Sequence, residues 1–338
     1  MATAQDQRDA TDRHAQVLLA IEQAAVRAAT LRLVIALAQL QREVTGRLLM
    51  ARSDQAKAAA AKQLAIQLEA EMLPLLSERE LLPPILAQAR AAMDATAVFT
   101  LGPGNPFVPV AAAPREVTQA VRSATASARV KVDRSAKMLQ RSSDLTAAAT
   151  ALNVAQQAIG SVATGAEWAV NDAGNRAAAR IAQATGQKLV WVPERDACVV
   201  CLALSGDVVD PMKGESFDEF ATFGATTPPS VWPPGMPLIG PPRHPHCRCI
   251  AQVWNGSAVG GMSWPERLKH EALRSIARGF SLPSESQAAR LRAAERILRD
   301  GRAGQLPKSV QAYAERAVGR RKFETRTVPS HTVRTRVR

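Results

Sequence analysis

All four cysteines of this 338-residue chain fall in two short clusters, Cys198-Val-Val-Cys201 and Cys247-Arg-Cys249, and His244 and His246 lie just before the second. A CxxC pair presents two sulfurs from one turn, at the separation a tetrahedral Zn²⁺ requires. A distant HxxC or CxC pair completes the tetrahedron and staples two remote segments together. The pattern therefore reads as a structural zinc knuckle. Cys198, Cys201 and Cys247 form its base. Cys249 or His244 supplies the fourth ligand, with His246 a more remote choice. Thiolates favour an all-cysteine site, whereas Pro242 and Pro245 stiffen the loop and aim His244. The competing readings are two disulfides, a redox CxxC, or free buried thiols. The start of the chain, Met1-Ala-Thr-Ala-Gln-Asp6, lacks the basic and apolar pattern of a secretory signal. That leads us to expect a compartment in which disulfides do not persist.

Catalytic zinc patterns are not met. Zinc deaminases pair PCxxC with an upstream HxE, but Pro193 is not adjacent to Cys198 and no histidine begins an HxE. The metalloprotease HExxH is missing too: His270-Glu271 is followed by Arg274 where the second histidine would stand. Asp207 and Asp210 are near the cysteines but make no convincing Mg²⁺ cluster. The expected protein is not an enzyme. A zinc-supported nuclease with His244 or His246 as base, and a DNA-binding regulator, are the alternatives.

These clusters need rigid supports. Lys188-Leu-Val-Trp-Val192 is β-branched and aromatic and stops at Pro193, and Ile250-Ala-Gln-Val-Trp254 has the same texture. Each predicts a short strand abutting a cysteine turn, and the two should pair. Gly206 to Asp210 predicts a turn and short strand, Phe217 to Phe223 a helix, and Pro228 to Pro242 a surface loop.

The rest of the chain reads as helix, so the expected fold is mainly α with a small zinc-stapled α+β domain. Residues 1–98 form a helical N-terminal region. Val17, Ile21, Ala24, Ala28, Leu31, Ile35 and Ala38 make a stripe near the coiled-coil period that needs a partner to bury it. A second helix starts after Ser53-Asp54 and carries Leu64, Leu68, Met72 and Leu75. Pro83-Pro84 predicts a restart after the capping-box spacing of Ser77 and Glu80. Residues 99–114, with Gly102-Pro-Gly-Asn-Pro106, form a linker, and Pro114 opens the next helix. Residues 115–187 are helical and divide at Ser143-Asp144. Their last helix spans about Ala166 to Thr185 and ends at Gly186. That region leads into the zinc-binding module, 188–256. Residues 264–318 are helical again. Ser284 to Gln287 has capping-box spacing, Gly301 is a stop, and Pro307 opens the last helix.

Composition agrees with helices packed through small side chains: 46% of residues are hydrophobic but only 4% aromatic. No run reaches the length of a membrane span. The net charge is +13, and residues 264–338 carry 18 Lys/Arg against 7 Asp/Glu. Such asymmetry points to a polyanion partner. The basic arm, 319–338, is expected to be disordered in isolation. Its candidate DNA contacts are Arg320, Arg321, Lys322, Arg326, Arg334, Arg336 and Arg338.

Three segments, taken together, resemble the phage Mu F-like head morphogenesis family of minor capsid proteins. They are Trp191 through Cys198-Val-Val-Cys201, Ser205-Gly206-Asp207, and Pro241-Pro-Arg-His244-Pro-His-Cys247-Arg-Cys249. The helix from Trp168 to Gly186 is similar to that domain's entry helix. The likeness covers about 160–256. It departs at His246, where the family usually has asparagine or another polar residue, and this argues against His246 as a ligand. The resemblance implies a minor virion protein near the portal vertex, in the host cytoplasm during assembly. It would contact portal or other head proteins, or its own copies, and packaged double-stranded DNA.

Overall fold

The computed structural model describes residues 4–104, 115–142, 144–194, 197–217, 240–242, 247–256, 258–259, 262–279, 287–299 and 308–323. Five long helices come first: α1 (Ala4–Met50), α2 (Asp54–Leu75), α3 (Glu78–Leu101), α4 (Arg115–Gln140) and α5 (Leu145–Thr185). Then come β1 (Lys188–Val192), α6 (Val199–Ala203), β2 (Val208–Val209) and β3 (Ile250–Trp254). A small hairpin, β4 (Ala258–Val259) with β5 (Met262–Ser263), precedes α7 (Trp264–Arg278), α8 (Gln287–Arg299) and α9 (Lys308–Arg320). No described helix is long and apolar enough to cross a membrane. The protein is mainly helical with a small three-stranded sheet.

Two compact units emerge. One comprises Ala20–Ala91 and Val110–Ala173; the other comprises Met1–Leu19, Ala92–Pro109 and Gly174–Arg338. The described residues of the first unit are helices joined by short turns. Ser53 starts α2 by accepting the Ala56 amide at 3.2 Å, as expected of that residue type. Leu64, Leu68 and Met72 are buried on its inner face. Small side chains let α4 and α5 approach closely: a Cβ on Gly165 would lie 2.4 Å from the Ala124 Cβ. Ser135 donates to the Ala151 carbonyl at 2.6 Å across the same pair.

Several expectations are corrected here. The helix does not restart at Pro83-Pro84; α3 runs through both. Ser77 begins it through its carbonyl, which accepts from the Glu80 and Leu81 amides. Pro83 and Pro84 fall in the second turn, where each removes one intrahelical donor, and the helix continues through both. The division at Asp144 is present, with its carboxylate accepting from the Ala147 amide at 2.8 Å. No new helix begins near Ala166, however, because α5 is continuous over 41 residues. The α1 stripe is no correction: the helix buries a separate row, Leu18, Ala25, Leu33, Leu37, Leu40 and Val44, and leaves Val17, Ala28, Leu31 and Ile35 exposed, with Ile21, Ala24 and Ala38 half-buried.

The second unit contains the sheet, in order β2-β1-β3, all antiparallel. Both principal strands have the bounds expected from sequence. Trp191, fully buried on β1, meets Phe217 edge-on at 5.2 Å between ring centres. Three strands are too few to bury such a residue alone. The core therefore continues into α6 to α9 through Leu202, Ile276, Ala293, Ile297 and Tyr313. The module at 188–256 and the helices from 264 onward thus share one core.

A complete capping box of Ser263 and Glu266 starts α7, and Gly279 ends it in the left-handed region. The arm does not begin at 319: α9 extends to Arg320, and Phe323 is 2% exposed. Expectations for residues 105–114, Ser143, 218–239, Ser284, Gly301, Pro307 and 324–338 lie outside the described residues.

Candidate metal centre

The strand register explains how the cysteine clusters meet. Val192, the last residue of β1, pairs with Ile250, the first of β3. The chain leaving β1 and the chain entering β3 therefore occupy the same end of the sheet. Cys198 stands at the N-cap of α6 and Cys201 lies within that helix. Cys247 and Cys249 arrive on the extended segment before β3.

The thiols of Cys201, Cys247 and Cys249, all buried, lie within 4.8 Å of one another, close enough to hold a metal ion. The Cys201 and Cys247 sulfurs are 3.6 Å apart. A disulfide needs about 2.05 Å. Sulfurs on a tetrahedral ion with metal–sulfur bonds of about 2.3 Å stand about 3.8 Å apart. All four cysteines are free thiols.

The composition of the tight group differs from the expected base. Cys249, held as an alternative fourth ligand, belongs to it. Cys198 is half-buried and outside that trio, yet it is the leading influence on Cys201. His244 and His246 lie outside the described residues.

The electrostatics fit a dication. Hydrogen bonding with Cys198, then with Cys247 and Cys249, and then burial push the Cys201 thiol well above its ordinary range. Burial does the same to Cys249, with Cys201 opposing and Cys247 reinforcing. Without a cation these groups stay protonated; with one, the thiolate becomes the favoured form. Two buried arginines stand beside the cysteine-bearing segments. Arg248 separates Cys247 from Cys249, and Arg290 on α8 donates to the Ala197 carbonyl at 2.9 Å, one residue before Cys198.

Outer supports were not legible in the sequence. Asn175 on α5 accepts from the Ala251 amide, two residues past Cys249, at 2.6 Å. Arg8 on α1 donates to the Pro193 carbonyl at 3.3 Å and lies near Asp12 and Glu271. It lines a cavity of about 230 Å³ with Glu194, Ser205 and Arg278. Ser205-Gly206-Asp207 ties sheet to helix. Ser205 donates to the Leu268 carbonyl at 2.8 Å, the Gly206 amide to Trp191 O at 2.9 Å, and Asp207 meets Lys269 at 3.1 Å. Asp210 accepts from the Met212 amide at 3.0 Å and lies 3.7 Å from Lys213. Both carboxylates are thus engaged structurally.

Of the candidate DNA contacts, Arg320 closes α9 and Arg321 and Lys322 follow it, all exposed. Arg326, Arg334, Arg336 and Arg338 lie outside the described residues. No protein-family model, no curated protein and no solved structure matches this chain.

Proposed function

We propose that this chain is a structural minor head protein of a tailed bacteriophage, of the Mu F-like head morphogenesis type, and not an enzyme. One observation carries the reading: Cys201 of the CxxC element and both cysteines of the CxC element, with 45 residues between the two elements, converge as buried thiols at one end of a β1–β3 pair. The ordered motifs Trp191–Cys201, Ser205–Asp207 and Pro241–Cys249 support it as a set.

Cys201, Cys247 and Cys249 would hold a structural Zn²⁺, with Cys198 or His244 as fourth ligand. The ion would supply folding free energy to a domain whose sheet is too small to be stable alone. The engagement of Asp207 and Asp210 in structural contacts disfavours the nuclease alternative. The protein would act within the head near the portal vertex, in assembly, DNA packaging or ejection. The exposed apolar residues of α1 would face portal, another head protein or a like chain. The basic stretch from Arg320 to Arg338 would meet packaged double-stranded DNA.

The test is mass spectrometry of purified, DNA-filled particles, with elemental analysis of the isolated protein. Peptides of this chain at low copy, and about one zinc per chain, are expected. Particles that lack the chain yet are complete would refute the virion role.

A further inference from the structure

Three helices of the second unit carry an unbalanced charge. In residues 264–279, 287–299 and 308–323 there are 13 Lys/Arg against 4 Asp/Glu. At the end of α9 this charge is gathered rather than spread. Arg316, Arg320 and Lys322 border one cleft of about 290 Å³, whose floor is Tyr313, Ala317 and Phe323. Arg316 and Arg320 are one helical turn apart on one face.

Lys322 reaches the same cleft only because the chain turns back on itself. Arg321 adopts φ 54°, a left-handed conformation that a residue with a side chain seldom takes. The Lys322 amide then donates to the Ala317 carbonyl at 3.0 Å, and the Arg321 amide to Val318 at 3.1 Å. This is the Schellman closure, built with arginine where glycine is usual. It also delivers Phe323 onto Gly279, where a Cβ would lie 2.3 Å from the ring. Non-glycine residues in this region persist when the surroundings hold them, and they gather at functional sites.

We infer that the cleft formed by Arg316, Arg320 and Lys322 is a folded binding site for backbone phosphates of duplex DNA. The inference deepens the DNA contact proposed above and rests on that reading. It assigns the contact to the folded end of α9, including Arg316, rather than to the arm.

Two observations select the partner. Tyr313 and Phe323 are buried, so neither ring offers a face for stacking an unpaired base; phosphate contact remains. Protein interfaces pair arginine anchors with large apolar or aromatic ones at their centre. Among the described residues the large exposed hydrophobics lie elsewhere, at Leu31, Ile35, Ile66 and Val130 for example, and none lies on α7, α8 or α9. Arginine binds phosphate through a planar fork and lysine as a point charge, both without reading sequence.

The test uses full-length protein and a short random-sequence duplex across a salt series. The R316Q/R320Q/K322Q variant should bind about tenfold more weakly or worse at low salt. Its log–log salt slope should fall by roughly 2 to 3, at about 0.9 for each phosphate no longer neutralised. The charge-preserving R316K/R320K/K322R variant should retain the parental slope. Arg316→Gln alone, at an exposed position, should lower the slope by about 0.9 even if the triple variant folds poorly. A full-length R326Q/R334Q/R336Q/R338Q variant should keep the cleft's share of the slope. If only that variant loses affinity, the cleft is overturned and the arm reading stands. If the triple variant loses poly-glutamate binding but not duplex binding, the partner is an acidic protein and the inference is wrong. Equal slopes for parent, Arg316→Gln and triple variant would also overturn it.

Discussion

The side-chain oxygen of Asn175 accepts a 2.6 Å hydrogen bond from the backbone amide of Ala251, 76 residues away. Both residues are buried, and among the described residues β3 pairs with a strand on one side only. The contact fixes β3, which Cys249 immediately precedes, against the C-terminal part of α5. Asn175→Ala leaves the buried amide without its acceptor, at a cost of about 1–3 kcal/mol. Urea denaturation should show the lower midpoint, and zinc should be lost at a lower chelator concentration. An unchanged midpoint would show that water replaces the side chain at no cost.

Gly206 occupies φ 71°, and a Cβ there would stand 2.1 Å from the Pro265 carbonyl oxygen and 2.9 Å from Lys269 Cγ. The first neighbour is backbone and cannot move away cheaply. Gly206→Ala combines left-handed strain with this clash and should destabilise by about 3–5 kcal/mol. Thermal unfolding checks it; a shift no larger than that of a surface alanine control contradicts the account.

The raised thiols give the metal-free protein an alkaline weakness. Cys201 and Cys249 hold their protons in the folded state above the ordinary thiol range. Their contribution is complete below the unfolded value, about 8.5, and drains as pH rises through the folded values. Melting temperature should thus fall between about pH 8 and 10 in chelator. With one equivalent of Zn²⁺ the thiols are already ionised on the metal, and that fall should vanish. Identical profiles with and without zinc would exclude metal ligation by this pair.

Leu31 and Ile35 lie on the exposed row of α1. A Leu31→Asp/Ile35→Asp variant should change stability by no more than about 0.5 kcal/mol per site. It should keep its zinc and fail to enter heads. Normal incorporation would show that this row is not a docking surface.

How much of this was legible in sequence depended on the range over which each signal acts. The strands at Lys188–Val192 and Ile250–Trp254 were readable because β-branched runs bounded by Pro193 and cysteine turns are local features. The break at Asp144 was readable because capping is local too. On α1, two apolar rows share nearly the same period, and periodicity alone does not say which faces inward. Within α5, Gly160 and Gly165 read as breaks, yet Gly165 serves the close approach of Ala124 on α4, a contact distant in sequence. Asn175, Arg290 and Arg8 satisfy backbone groups 76, 93 and 185 residues away, and nothing near them in the chain announces that role. Phe323 reads as part of a charged tail because its seat, Gly279, is distant in sequence.

That seat fixes the point at which the chain leaves α9. Phe323 is locked between Gly279 and Tyr313, its ring 6.3 Å from the tyrosine's. Residues 324–338 follow it. Fully extended, that length of chain spans at most about 50 Å. Enlarging Gly279 would unseat Phe323, and with it the point at which the chain leaves α9.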